Sequence, residues 1–436
     1  MALDLAYIAL SPLLLVYLLG ASSGFTNPKY RRGLLQKLGI GVPRRSGERP
    51  AFWVHAVSVG EVLTALPLVE ALQSRFPGWD LGLSVSTFTG LEVAKKHLKG
   101  VPLFYFPLDL SPIVSRFFRR QRPAALLLLE LELWPNSLLA AARRGIPVLV
   151  ANARITSRSA RRYALGGRLT RQFFNLAASF GAQNEACRER LLELGVGPER
   201  VEVLGNLKHD KEPSKCAGRA DEARSLLGWE RGEALVLVAG STHPGEEKII
   251  AEIYDGLRQK DARLRLILVP RHVERLDSAE LARWETKDPL VRWSGIRNFE
   301  PHPAPLGTAI LLVDTVGELE LFYALADIVF VGGSLVPRGG HNLLEAARLG
   351  KPILFGPHFE NFQGEGELLI GEGGARSIAN ASELRSEVER LMLHPEERQA
   401  LGETAISVST RLRGATQRHL AWVERHLQLY LGKSVC

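Results

Sequence analysis

The feature that most constrains this chain is the stretch Ala51 to Phe76, AFWVHAVSVGEVLTALPLVEALQSRF. Its apolar run Phe52 to Val57 is short, β-branched and aromatic, and apolar residues then recur at Val62, Leu63, Leu66, Val69 and Leu72 with helical spacing. The stretch therefore reads as a buried strand, a tight turn at Gly60 and an amphipathic helix. Glu61 falls in the first helical turn, at the carboxyl end of the strand, which in open α/β sheets is the edge where ligands bind. Ser58-x-x-Glu61 equally fits a capping box, in which both side chains satisfy free amides. The stretch alone does not separate the two readings.

The alternation continues along the chain. Strands are predicted at 80–86, 102–106, 124–129, 146–151, 178–183 and 201–203, with helices over 61–76, 89–98, 111–119 and 135–144. The polar stretch His209 to Arg219, with Pro213 and Gly218, marks a boundary. Beyond it the scheme repeats: strands at 235–239, 264–269, 309–313, 327–331 and 352–355, helices at 342–348 and 363–369, and further helices from Glu383 onward. A chain of 436 residues is too long for one ordinary core. The expected fold class is α/β, with two doubly wound, Rossmann-like domains and an interdomain cleft, a favoured place for a ligand.

Residues 1–19, MALDLAYIALSPLLLVYLL, are almost wholly apolar and just long enough to cross a hydrocarbon core as a helix, although Asp4 and Pro12 weaken the match. A cleaved signal peptide fits less well, because no basic residue precedes the apolar run. Lys29, Arg31, Arg32 and Lys37 follow it, which by the positive-inside rule keeps the body of the protein cytoplasmic. Cys187, Cys216 and Cys436 are odd in number and far apart, suggesting neither a disulfide framework nor a metal knuckle and fitting a reducing compartment. The net charge of +8, clustered at Lys29–Arg49, Arg116–Arg122 and Arg154–Arg171, favours anionic partners without choosing among them.

Three further constellations carry chemistry. Glu130 and Glu132, in ELELWPN, follow the apolar run AALLLL and project on one face of an extended backbone. Carboxylates ending a buried strand need a partner or a ligand, because burying an unpaired charge is costly; nearby arginines, backbone amides or a substrate each meet that need. Glu130 shares its sheet edge with Glu61, whose pKa a neighbouring charge raises and helix amides lower. Ser334 to Glu345, SLVPRGGHNLLE, joins a strand to a helix through paired glycines and reads as an anion site, with Asn342-x-x-Glu345 open to a capping-box reading. Arg271 and His272 at one strand end and Asp314 to Glu318 at another add to a nucleotide-binding edge. No G-x-x-x-x-G-K-[ST] loop, no G-x-G-x-x-G after the first strand, no Asp-x-Asp and no Cys/His cluster of metal spacing occurs, which disfavours P-loop and Rossmann dehydrogenase chemistry and points away from a metal.

Taken in order, His55-x-x-Ser58-Val59-Gly60-Glu61, Glu130-x-Glu132-Leu133-Trp134-Pro135-Asn136, Ala151-Asn152-Ala153-Arg154, Ala182-Gln183-Asn184-Glu185, Val269-Pro270-Arg271-His272 and Val331 to Val336 through Gly339-Gly340-His341-Asn342 resemble the Kdo transferases of lipopolysaccharide synthesis across nearly the whole chain. The resemblance implies a metal-free, cofactor-free, inverting glycosyltransferase of the B fold that moves Kdo (3-deoxy-D-manno-octulosonic acid) from CMP-Kdo to the lipid A precursor lipid IVA at the inner membrane, with no nucleic-acid partner. It also implies an anchor and flank at 1–24, an acceptor-binding domain at 25–208, a CMP-sugar domain at 209–409 and a last helix, 410–436, crossing back to the first domain. Carried onto this sequence, Glu61 matches the family's general base, and Glu130 and Lys208 match positions that stabilise the transition state. Pro270 with Arg271, Val316, Gly317 and Glu318, and Asn342, Leu343, Leu344 and Glu345 match its nucleotide contacts. The alternatives are a nucleotide-sugar epimerase on the same fold and a non-catalytic lipid-binding protein.

Overall fold

The structure, a computed structural model, describes residues 33–210, 216–229, 232–276, 280–281, 284, 286–298, 307 and 310–431. The expected anchor, 1–24, lies outside them, and no helix among the described residues is long and apolar enough to cross a membrane. The chain divides into two units, Met1–Lys211 with Leu412–Cys436, and Glu212–Arg411.

The first unit is built on strands β1 (Ala51–Ala56), β2 (Asp80–Val85), β3 (Leu103–Tyr105), β4 (Ala125–Leu129), β5 (Val148–Ala153), β6 (Ser179–Ala182) and β7 (Val201–Val203). They form one sheet in the order β3-β2-β1-β4-β5-β6-β7, with every pairing parallel. Parallel neighbours require crossovers, supplied by α1 (Val59–Arg75), α2 (Phe88–His97), α3 (Ser111–Gln121), α4 (Pro135–Ala142), α5 (Ser157–Ala164), α6 (Gly167–Phe174) and α7 (Glu185–Glu193). Successive residues of β1 point to opposite faces, and both faces are covered. Phe52, Val54 and Ala56 join the core under α1 and α2, whereas Trp53 packs among Phe104, Phe106, Phe117 and Phe118 on the other side. Burial on both faces is why a central strand such as β4 reads as an unbroken apolar run.

The second unit repeats the plan with β8 (Leu235–Thr242), β9 (Leu264–Pro270), β10 (Leu290–Arg292), β11 (Ile310–Leu312), β12 (Ile328–Val331), β13 (Ile353–Phe355) and β14 (Ala375–Ser377), in the parallel order β10-β11-β9-β8-β12-β13-β14. Its helices include α8 (Cys216–Leu227), α9 (Glu246–Arg258), α10 (Trp293–Arg297), α11 (Leu319–Leu325), α12 (Leu344–Ala347), α13 (Gln363–Glu372), α14 (Ala381–Leu393) and α15 (Pro395–Leu412). The final helix, α16 (Ala415–Leu431), packs in the first unit, where Trp422, Val423 and Leu427 enter the core of β1 and α1. Burying side chains of this size stabilises the docking by about 1.5–3 kcal/mol each.

The structure differs from the sequence reading in particulars. Helix α1 begins at Val59, two residues early, because Ser58 caps it. The helix expected at 342–348 shrinks to Leu344–Ala347, and the three-residue strands β10 and β14 were not predicted. The strand order reverses between β1 and β4 in the first sheet and between β8 and β12 in the second, whose edge strands β10 and β11 are also out of chain order. Connections leave such a switch point in opposite directions and open a crevice at the carboxyl ends of the strands.

Candidate functional site

The switch point of the first unit is acidic. Ser58 caps α1, its Oγ accepting from the Glu61 amide at 3.4 Å and donating to Glu61 Oε1 at 3.1 Å, while Glu61 Oε2 accepts from the Val57 amide at 2.8 Å. The motif is thus a cap, but one whose carboxylate stays half-buried within reach of other charges. Burial raises the Glu61 pKa above the usual glutamate value; the Val57 amide opposes this, Glu130 adds to it, and Ser58 and Lys208 oppose it. Glu132 is raised in the same way, by burial and by Glu61, against a hydrogen bond from the Trp134 side chain and with a further push from Glu130. Burial and the Glu132 charge also raise Tyr163, on α5. His55, upstream in the same motif, is buried and held neutral, its pKa lowered to about 3 by burial against a Ser84 backbone hydrogen bond, and its ring lies on Phe106 at 3.9 Å between centroids.

Glu130 takes a left-handed backbone, φ 57°, which is uncommon for a residue with a side chain. Its carboxylate meets Lys208 Nζ at 3.2 Å, so the structure brings Glu61, Glu130, Glu132 and Lys208 to one edge. Lys208 is held there by residues to which the sequence analysis assigned no role. Asn152, also left-handed at φ 55°, is buried at the end of β5 and accepts the Leu207 amide on Oδ1 at 3.0 Å. Its own N–H donates to His419 Nε2 on α16 at 2.9 Å. His419 Nδ1 lies 2.8 Å from the Ala415 carbonyl. That oxygen only accepts, so Nδ1 carries the proton and Nε2 offers its lone pair. Burial keeps His419 neutral, with a pKa lowered to about 4. Asp210 then caps α16, its carboxylate accepting from the amides of Gly414 at 2.6 Å, Ala415 at 3.1 Å and Thr416. The last helix is in this way bound to the turn that carries Lys208.

The switch point of the second unit is cationic. Glu246, in the first turn of α9, is wholly buried and accepts four amides: His243 at 2.9 Å and Gly333 at 2.7 Å on Oε2, Ser334 at 3.0 Å and Leu335 at 2.9 Å on Oε1. It fastens the turn after β12 to the end of β8. A Cβ on Gly332 would stand 2.7 Å from Thr242 Cα, so only glycine permits this approach. Here His243 and His341 face each other with Nε2 atoms 2.9 Å apart. Burial lowers the pKa of His243, as do His272, Arg338, Arg275 and Arg271. His341 is lowered to about 4, by burial and then by Arg271, His243 and His272. Arg271 is exposed beyond β9, its amide tied to the Thr242 carbonyl at 3.0 Å.

The other nucleotide candidates divide into exposed and inward-facing groups. Val316 is 84% exposed and Gly317 is open beside it. Glu318 points inward and is taken up by Thr315 at 2.5 Å, the Trp293 indole at 3.1 Å, Arg219 at 2.9 Å and Arg297 at 3.2 Å. Despite burial, which raises it, these partners leave its pKa below the usual value. Pro270, Leu343 and Leu344 are buried. Asn342 donates to Glu345 Oε1 at 3.2 Å and accepts the Leu344 amide at 3.1 Å, so this stretch is a capped single turn. Asn152 and His341 stood in motifs that the sequence displays; nothing local marked His419, 267 residues from its partner.

A family profile described as 3-deoxy-D-manno-octulosonic-acid transferase (kdotransferase) matches residues 30–211. The 3-deoxy-D-manno-octulosonic acid transferase of Haemophilus influenzae is 34% identical over 406 residues, 92% of this chain and 93% of that one. Among solved structures, a glycosyltransferase from Rickettsia africae aligns with a TM-score of 0.57 at 11% identity, covering 88% of this chain and 99% of that one. The UDP-GlcNAc 2-epimerase from Neisseria meningitidis aligns with a TM-score of 0.55 at 14% identity, covering 84% of this chain and 99% of that one. At these identities the likeness is one of fold, that of B-type glycosyltransferases and the epimerases built like them. Over nearly its full length, at the level of sequence, this chain belongs to the family of 3-deoxy-D-manno-octulosonic acid transferases.

Proposed function

We propose that this enzyme transfers Kdo from CMP-Kdo to the lipid A precursor lipid IVA, with inversion and without a metal ion, and that Glu61 is the general base. The observation that carries the assignment is the half-buried Glu61 carboxylate with a raised pKa at the first switch point, beside Glu130, Glu132 and Lys208. As an acceptor hydroxyl oxygen bonds to the anomeric carbon of Kdo, the bond from that carbon to the CMP phosphate breaks and CMP leaves with the electron pair. The hydroxyl proton passes to Glu61. Each Glu61 oxygen accepts one hydrogen bond, from Val57 or Ser58, which leaves a lone pair on each for the proton. A carboxylate with a raised pKa is the stronger base, and such assistance accelerates reactions by about 100-fold to 10,000-fold. Lys208, opposite Glu130, offsets negative charge on the Kdo carboxylate or the departing phosphate.

In the second unit Arg271 meets the CMP phosphate, and Val316 and Gly317 offer backbone rather than side-chain contacts, since the Glu318 carboxylate is already taken. Asn342, just before the single turn α12, and Glu345 within it hold the nucleotide. Residues 1–24 anchor the protein in the inner membrane with its body on the cytoplasmic side. Support for a lipid surface comes from Leu165, 88% exposed between α5 and α6, with exposed Arg158, Arg161, Arg162 and Arg168 around it, a pairing suited to anionic headgroups. Purified protein incubated with CMP-Kdo and lipid IVA is expected to give a Kdo-bearing lipid by mass. Failure to form it with wild-type protein, while Kdo is released to water or another acceptor, would overturn the acceptor assignment.

A further inference from the structure

We propose that His243 and His341 together receive the phosphoryl group of the donor and take up one proton when it binds. The inference rests on the CMP-sugar reading of the second unit. The two imidazole planes lie within 5° of each other, and their Nε2 atoms, at 2.9 Å, are far closer than their centroids, at 5.2 Å. The rings therefore meet edge to edge, nitrogen to nitrogen. One Nε2 carries a hydrogen and the other offers a lone pair, since two N–H groups pointing at each other repel.

The surroundings determine what this pair can accept. Arg271 and His272 face it from the end of β9, Arg338 from the loop before His341, and Arg275 from the turn after β9. Arg275 is committed to Glu247 and Glu280, and His272 Nδ1 meets Glu274 at 3.0 Å. Glu246, which accepts the His243 amide, is spent on four amides in all. A Cβ on Gly333 would lie 2.9 Å from His341 Cδ2 and 3.3 Å from His243 Cδ2, so a glycine here is what lets the rings meet.

Cations around an imidazole pair keep it neutral, and an anion in their midst reverses that balance. The added proton goes to Nδ1 of the ring whose Nε2 already bears hydrogen, which preserves the Nε2–H···Nε2 bond and makes it charge-assisted. A second proton would break that bond, so uptake stops at one. Arg271 holds a fixed charge, whereas the histidine pair supplies a charge that arrives with the ligand and departs with it. Product release is then favoured as the proton is returned.

The test is calorimetry of CMP binding at pH 6.5 and pH 8 in buffers of different ionisation enthalpy, which reads the protons taken up per CMP. CMP contributes through its own phosphate, which titrates near pH 6, so wild type is compared with His341→Asn and His243→Asn, each checked by thermal unfolding. Wild type is expected to take up about half a proton or more beyond either variant at pH 6.5, and its affinity to rise as pH falls by at most about tenfold per unit. Proton counts equal in wild type and a folded variant, or a wild-type uptake no larger than the CMP phosphate accounts for, would overturn the proposal and leave the donor assignment standing. Absence of CMP binding by wild type would overturn the donor assignment and the proposal together.

Discussion

Glu61 and Glu246 occupy the same place in their two sheets: the first turn of the helix that follows the strand at the switch point, preceded in each case by glycine. Their fates differ. Glu246 is wholly buried, and its two oxygens accept four backbone amides, three of them from residues 87 to 89 positions away. Glu61 accepts one amide and one hydroxyl, both local, remains half-buried, and shares its edge with two other carboxylates. A carboxylate saturated by amides is a clamp, whereas one with spare lone pairs and a raised pKa is equipped to take a proton. Glutamates in the corresponding helical turn of a repeated fold have thus been put to opposite uses.

The sharpest way to break that contrast is a pair of matched substitutions. Glu61→Gln retains an oxygen for the Val57 amide, so we expect the unfolding midpoint and CMP affinity to hold while Kdo transfer falls by about 100-fold to 10,000-fold. Transfer near the wild-type rate would remove Glu61 as base and make it a cap only. Glu246→Gln turns an NH2 donor toward amide donors and removes a buried charge, with a cost of about 3–5 kcal/mol. That corresponds to an unfolding midpoint of the second unit lower by roughly 6–20 °C. If Glu246→Gln unfolds like wild type, the clamp is not holding the turn.

Smaller effects refine the picture. Arg271→Ala is expected to weaken CMP binding about tenfold by calorimetry, with little change in thermal unfolding, since an exposed guanidinium contributes little to the fold. An unchanged affinity would take Arg271 out of the site. Asn152→Ala frees the Leu207 amide and should lower the turnover number severalfold more than it changes CMP affinity, because Lys208 loses its support. Equal losses in both would make Asn152 a residue of general stability.

The smallest effect concerns pH. Burial and neighbouring carboxylates raise the folded pKa of Glu61 and Glu132, so the folded state holds protons that the unfolded chain releases. Their contribution to stability is therefore present below the unfolded value and declines as pH rises through the folded one. Transfer runs the other way, since the base must be ionised. The acid limb of kcat/KM should lie above the usual glutamate range and move to lower pH in Glu130→Gln, which removes one source of the rise. A limb that moves to higher pH would contradict the coupling of Glu61 to Glu130.

Much of the fold was legible in the sequence because a strand buried on both faces shows itself as an unbroken apolar run, as Ala125–Leu129 and residues 235–239 do. Leu290–Arg292 and Ala375–Ser377 each contain an arginine and hold no apolar run longer than two residues, so nothing in the sequence marks them as strands. The helix expected from Asn342 contracts to one turn because the Asn342 carboxamide bonds to the Leu344 amide and the Glu345 carboxylate. Within the site, Glu61, Glu130 and Lys208 could be named from their motifs, yet the residues that hold Lys208 could not. Asn152 works through its backbone as much as its side chain, and His419 reaches it from the last helix of the chain.

The sequence by itself determined two parallel α/β sheets, acidic residues at the end of the first apolar strands, and an arginine with histidines at the ends of later ones. These follow from local apolar periodicity and from residues next to it in the chain. Only the tertiary structure decided which glutamate is a clamp and which has lone pairs to spare. A carboxylate's freedom depends on the amides that surround it, and for Glu246 three of those four come from residues 87 to 89 positions away, a distance over which no local pattern carries information.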